Sequence, residues 1–312
     1  MFLLILAEIS VSYHRQTFSF SPDGKHLLFT EWEAPHQRLV SLWIYDISCR
    51  KKIFVERDTF RYSEGGCWWN ERYNLLGMGW YDDTIFYYSI NGEEMKRGIV
   101  KGEKVEIHKE FDMLTREEKV LPSIHHISFS FDRHYMAFIY GFEEPSFLYL
   151  YEIDKKKLKQ ISPAGKNVEL SGYAWSPSGD VIAVGYQRLK LVDVTTQQEI
   201  FTIDSVVNKG TGGIFVLEWN KNGLLYAKTE DGLNNAFFVW DGREKKAIKD
   251  MARWVINGRT QRIEKISFNE MDPEKREIFF SPDSTVFIYL VEKPIDTMRG
   301  IFKTHLYLER RK

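Results

Sequence analysis

Residues Phe18–Thr30 read FSFSPDGKHLLFT, and the chain returns to that pattern five more times. The copies are CWWNERYNLLGMG from Cys67, ISFSFDRHYMAFI from Ile127, YAWSPSGDVIAVG from Tyr173, LEWNKNGLLYAKT from Leu217 and IFFSPDSTVFIYL from Ile278. Each is aligned on a small polar residue: Ser21, Asn70, Ser130, Ser176, Asn220 or Ser281. An aromatic stands immediately before it, at Phe20, Trp69, Phe129, Trp175, Trp219 and Phe280. Alternating residues ahead of the anchor describe a strand with one buried face. The Pro/Gly/Asn/Asp centre describes a tight turn, and the apolar run after it a second, more deeply buried strand.

A third apolar segment follows most hairpins and closes on an acidic residue: LWIYD at Asp46, FLYLYEID at Asp154, LKLVD at Asp193, FFVWD at Asp241 and HLYLE at Glu309, with IFYYSIN ending on Asn91 instead. A shorter and more polar segment comes next, as in KKIFVE from Lys51 and KLKQIS from Lys157. Four antiparallel strands of falling apolarity, repeated six times, predict an all-β fold, a β-propeller of six four-stranded blades. The last unit runs out of residues after its third strand. Phe2–Glu8 is therefore predicted to supply the missing outer strand, close the ring and leave no bare sheet edge. Wide intervals between copies place insertions within Gly98–Ile124, where Phe111–Val120 reads as a short helix, and within Met251–Arg276. KISFN at Lys265–Asn269 also has the aromatic-then-Asn pattern, but SPDS after Phe280 reproduces the turn and favours Ile278 as the start of the last copy.

A repeat that runs from end to end implies one domain over residues 1–312 rather than two. Apolar residues make up 43% of the chain and aromatics 15%, enough for a packed core, and the formal net charge of -1 gives no overall field to attract nucleic acid or an anionic membrane. Cys49 in a turn and Cys67 on a strand are too few for a disulfide framework, so reduced thiols and a cytoplasmic location are expected. The opening MFLLILAE lacks the positive start and the length of a signal peptide, and no stretch approaches the length of a membrane span.

The run of aromatic-Ser-Pro-Asp/Ser-Gly followed by an apolar strand and then LWIYD, LYLYEID or LKLVD resembles TolB-like and WD40-like propeller repeats. Propeller domains of prolyl-oligopeptidase-type peptidases share it. The resemblance covers nearly the whole chain and speaks for fold, because propellers host scaffolds, receptors and enzymes alike. It implies that loops entering the innermost strands share one face, the top, with loops joining second to third strands. On that face the expected ligand- or partner-binding residues are Trp32, His36, Arg61, Tyr62, Trp80, Tyr81, Asp82, His125, His126 and Arg188.

Chemistry-bearing motifs are missing. There is no Gly-x-Ser-x-Gly elbow, no phosphate loop, no His-Glu-x-x-His and no Cys-x-x-Cys, so no catalytic residue, metal or cofactor is expected. The glycines of KGTGG, Gly210, Gly212 and Gly213, read as an inter-blade loop. Basic turns such as Lys155-Lys156-Lys157 gather on the opposite face, without the interleaved aromatics of a nucleic-acid platform. The expected function is a non-catalytic module that binds a protein or peptide through its top loops. The alternative is a propeller enzyme of lactonase or other hydrolase type acting at the channel mouth.

Overall fold

The structure, a computed structural model, describes residues 4–11, 18–34, 39–59, 77–113, 123–141, 146–161, 172–185, 189–203, 214–219, 225–230, 235–240, 245–248, 254–257, 262–265, 278–280, 282, 286–296 and 301–310. Every regular element among them is a strand. The first sheet is β2 (Phe18–Phe20), β3 (His26–Ala34), β4 (Leu39–Asp46) and β5 (Lys51–Thr59), preceded in the chain by β1 (Leu4–Val11). The second is β6 (Gly77–Trp80), β7 (Ile85–Ser89), β8 (Glu94–Lys101) and β9 (Lys104–Asp112). The third is β10 (Ile124–Phe129), β11 (Tyr135–Tyr140), β12 (Phe147–Glu152) and β13 (Lys157–Gln160), and the fourth β14 (Gly172–Trp175), β15 (Val181–Gly185), β16 (Leu189–Asp193) and β17 (Glu199–Ile203). The fifth is β18 (Ile214–Trp219), β19 (Leu225–Glu230), β20 (Asn235–Trp240) and β21 (Lys245–Ile248). A two-stranded sheet, β22 (Trp254–Asn257) and β23 (Arg262–Lys265), occupies the predicted second insertion. The last sheet joins β24 (Ile278–Phe280), β25 (Val286–Asp296) and β26 (Ile301–Arg310) to β1, in the order β1-β26-β25-β24.

In the second and third sheets burial falls from the second strand outward, as the composition implies. In the third sheet β11 is buried at five consecutive residues from Met136, while β13 is exposed at both ends. The recurrent serine explains the turn between first and second strands. Ser21 is fully buried; its Oγ donates to Asp23 Oδ1 at 2.7 Å and accepts from His26 N at 2.9 Å, while its own N–H donates to the His26 carbonyl at 2.9 Å. Ser130 repeats this with Asp132 and Tyr135, and Ser176 with Asp180 and Val181. A hydroxyl that both donates and accepts satisfies a buried turn that has no other way to bond its amides. The fourth turn residue has positive φ, which glycine adopts without strain at Gly24 and Gly179 but which Arg133 also adopts, at 65°. Acidic ends of third strands have a matching cause. Asp46 Oδ1 accepts from Ser48 N and Cys49 N, and Asp193 Oδ1 from Thr196 N, which closes the turn into the fourth strand.

The second copy is corrected. Its first strand is not Cys67–Trp69 but β6, and the turn is Tyr81–Thr84, in which Asp82 Oδ1 accepts from Thr84 N at 2.7 Å and Ile85 N at 2.6 Å in place of a serine lock. Trp80 thus takes the place of the aromatic before the turn. The predicted insertion shifts with it: Gly98 lies in β8, Phe111 and Asp112 end β9 rather than open a helix, and residues 114–122 lie outside the described residues. Trp68, Trp69 and Cys67 also lie outside them. β1 pairs antiparallel with β26 from Leu4↔Arg310 to Val11↔Thr304, so the strand predicted at Phe2–Glu8 lies on the last sheet as Leu4–Val11. β24 begins at Ile278, and Lys265 ends β23.

Two compact units are distinguishable. One holds Met1–Ile127, Asn257–Arg259 and Ser267–Lys312, the other Ser128–Ile256 and Thr260–Ile266. In the first, Leu28, Val40, Leu42, Ile44, Ile53 and Val55 of the first sheet pack on Met78, Trp80, Phe86 and Tyr88 of the second. Beside this seam sits an ionic cluster around Lys96, whose side chain is 14% exposed. Its ammonium lies 2.5 Å from Glu56, 2.9 Å from Glu94 and 4.0 Å from Asp58, and Tyr88 donates its hydroxyl to Glu56 at 2.6 Å. In the second unit, Ala137, Ile139, Leu148 and Leu150 pack on Tyr173, Ile182, Val184 and Val192. Polar groups there form a neutral relay: Trp175 Nε1 donates to Ser128 Oγ at 2.9 Å, Ser128 Oγ to the Tyr173 hydroxyl at 2.9 Å, and Tyr173 to the Ala137 carbonyl at 2.8 Å.

Candidate functional site

The predicted residues separate into two groups at opposite ends of their sheets. Tyr81 and Asp82 form the turn after β6, whereas His125 and His126 stand at the start of β10. A Cβ on Gly77, at the other end of β6 from Tyr81, would meet the Ile124 carbonyl at 2.6 Å. The three-residue step from Gly77 to Trp80 spans about 10 Å of strand, so one short ligand does not reach both groups. Trp32 lies in β3, its backbone opposite Val40, toward the end where β3 leaves for β4. His36, Arg61, Tyr62 and Arg188 lie outside the described residues.

Trp80 is corrected from surface anchor to core. It is fully buried, its Nε1 donates to the Ser19 carbonyl at 2.9 Å, and its ring stacks with His26 at 5.8 Å and packs against Phe86 at 5.2 Å. Being the last residue of a first strand, it stands where Phe20 and Trp175 stand in their copies. Tyr81 is half-buried with its ring edge toward Tyr87 at 6.2 Å, and Asp82 is committed to its own turn. The sequence held a signal for this, since Trp80-Tyr81-Asp82-Asp83-Thr84 followed by IFYYS has the aromatic, the polar turn and the apolar strand, lacking only the Ser-Pro spelling.

The histidine end has a different chemistry. His125 is half-buried, with Nδ1 3.3 Å from the hydroxyl of the fully buried Ser123. Loss of water around the ring, with His126 adding to it, holds the His125 pKa well below its usual range, so the ring is neutral at physiological pH. His126 is exposed, adopts φ of 55°, and turns its ring edge-on to His125 at 5.1 Å. The pair therefore offers a neutral, partly desolvated imidazole and an exposed one, able to donate and accept hydrogen bonds to a ligand. Among the described residues no three His, Cys, Asp or Glu side chains converge as a metal site.

At the other end of the first unit, a cleft of about 420 Å³ opens between the first two sheets, lined by His26, Asp46, Cys49, Lys51, Thr84 and Glu103 among others. Lys51 and Glu103 form an ion pair across it. Although partial burial opposes it, bonds from Ser48 and Cys49 hold the Asp46 pKa at about 2, and the hydrogen bond to Asp46 pushes the exposed Cys49 thiol up, which keeps it protonated and a poor nucleophile. No helix among the described residues is long and apolar enough to cross a membrane.

No protein-family model matches the sequence, and no curated protein matches it. Solved structures do. The β-propeller domain of Cps50 (Swd1) from Myceliophteria thermophila is 12% identical, with 99% of this chain and 100% of that one covered at a TM-score of 0.51. The fold is that of a β-propeller. A luciferin-regenerating enzyme aligns over 97% of this chain and 92% of its own at 13% identity and a TM-score of 0.52. A protein from Lactobacillus plantarum aligns over 93% and 83% at 10% identity and a TM-score of 0.54. Identities this low carry the architecture and no activity.

Proposed function

We propose that the chain is a single six-bladed, cytoplasmic propeller, its ring completed by β1 on β26, that binds a protein or peptide at the end of the sheets where β10 begins. The observation that carries this reading is the contrast between the two ends. The first turns of the first, third and fourth sheets repeat one hydrogen-bonded serine lock, which builds rigidity. The β10 entry breaks the repeat with an exposed histidine held at positive φ beside a half-buried neutral one. Specificity on a repeat scaffold resides in such departures. His36, Arg61, Tyr62 and Arg188 are proposed to join this surface. A second reading, hydrolysis with neutral His125 as the base, draws on the same ring and on the enzyme among the similar folds. It ranks lower because, among the described residues, the hydroxyl beside His125 Nδ1 is that of Ser123, which is fully buried and out of a substrate's reach.

The test substitutes His126→Asn, which tolerates the same backbone, and compares quantitative co-purification of partners with the unsubstituted chain while a panel of lactones and esters is assayed in parallel. Loss of a partner set at unchanged melting temperature is expected. Turnover of a panel member that His125→Gln abolishes would replace this reading by the enzymatic one.

A further inference from the structure

The outer strands of the repeated sheets differ in a way that bears on association. A strand with one neighbour presents a row of backbone groups to any extended segment, and lysines along it are the usual obstacle to such pairing. β5 carries Lys51 and Lys52, β9 Lys104 and Lys109, β13 Lys157 and Lys159, and β21 Lys245 and Lys246. β17, which reads EIFTI over Glu199–Ile203, carries no cation at all. Its one charge is engaged within the sheet, since Glu199 lies 2.5 Å from Lys190 of β16. Among the described residues β16 is the only strand with which β17 pairs.

The bulges sharpen this contrast. β5, β9 and β17 each hold one residue more than the strand beside them: Val55, Glu110 and Ile200. Such a residue drops out of the ladder and its side chain is re-aimed. Val55 is re-aimed inward and is buried, and Glu110 forms an ion pair with Arg97 at 2.8 Å, whereas Ile200 is 55% exposed. Four of the five residues of β17 are β-branched or aromatic, the types that favour a pleated neighbour.

We infer that β17 is a self-association edge, and that its occupant is β17 of a second copy of this chain, paired antiparallel across a two-fold axis. The strand is its own complement. Centred on Phe201, the pairing sets Glu199 opposite Ile203 and Ile200 opposite Thr202, so no charge meets its like. A net charge of -1 gives two copies little long-range repulsion. Five residues span about 17 Å and bury far less than the roughly 1,600 Å² of a standard interface, so the dimer is a weak one, with a dissociation constant of about 10 μM or above.

Sedimentation velocity of the full chain over rising concentration, with amide exchange measured at both ends of that range, tests this. A monomer–dimer equilibrium insensitive to salt is expected, with the amides of β17 slowing as the dimer forms. Ile200→Lys should raise the dissociation constant at least about tenfold, at an unchanged melting temperature because the side chain is exposed. β1 also lacks lysine, so slowing confined to β1 would overturn the inference. So would a dimer that Ile200→Lys leaves intact, or a monomer at every concentration, which would leave the edge to a strand of another protein.

Discussion

The two inter-sheet seams solve one problem with opposite chemistry. Between the first and second sheets, the polar groups beside the apolar core are ionic, one ammonium gathering Glu56, Glu94 and Asp58. Between the third and fourth, they are neutral, an indole, two hydroxyls and a carbonyl passing one chain of hydrogen bonds. An ionic cluster depends on balance: take away the ammonium that joins the three carboxylates and Glu94 keeps Lys109, at 3.4 Å, while Glu56 and Asp58 lose the charge that held them. A neutral relay loses only the bonds it made. The same fold can therefore carry one seam that is sensitive to charge and one that is indifferent to it.

The largest effect should follow Lys96→Met, which removes an ammonium 14% exposed from among carboxylates 20–31% exposed; breaking a buried pair typically costs about 3–5 kcal/mol, and this partly exposed cluster should lie near the lower bound. Denaturant unfolding measures it, and a loss within about 0.5 kcal/mol, the size of an ordinary surface change, would mean that the cluster contributes nothing net. Next is Tyr173→Phe, which leaves the Ala137 carbonyl and the Ser128 hydroxyl short of a partner and should cost about 1–3 kcal/mol, with no dependence on salt. A salt-dependent loss there would erase the contrast between the seams.

The smallest effect should come from acid. Burial works against the charged form of Glu94, yet Lys96 and Lys109 outweigh it and hold its pKa below the ordinary value of 4.5. A carboxylate depressed in the folded state contributes stability at pH above that ordinary value and loses it as pH falls through the depressed one. Burial raises the Tyr173 hydroxyl above its ordinary range, so its contribution is intact in acid and is lost only as pH rises past 10.0. Amide exchange below pH 4.5 should consequently accelerate in β8 more than in β15, and the difference should shrink in the Lys96→Met chain, where Lys109 remains beside Glu94.

Much of this architecture was legible because strand period, turn chemistry and apolarity agree at Phe18, Ile127, Tyr173, Leu217 and Ile278. Reading failed at the second copy, where the lock is made by Asp82 instead of a serine, so a search spelled in Ser-Pro slid one strand early to Trp69. That slip carried Trp80, Tyr81 and Asp82 to the wrong end of the sheet. The Lys96 cluster was illegible for a different reason: Glu56 and Lys96 belong to neighbouring sheets, and no local period announces which charges will meet across a seam. His125 and His126 were legible as strand-entry residues, but the positive φ of His126 and the buried Ser123 beside His125 are products of tertiary packing.

The pairing of β1 with β26 also sets how the molecule answers to pulling. Because the two strands run antiparallel, Leu4 and Arg310 stand opposite each other at the same end of one ladder. Tension applied between them does not shear the hydrogen bonds all at once; it opens them in sequence, from Leu4↔Arg310 toward Val11↔Thr304. A ladder loaded in that direction behaves as a zipper, yielding one pair at a time rather than resisting as a whole.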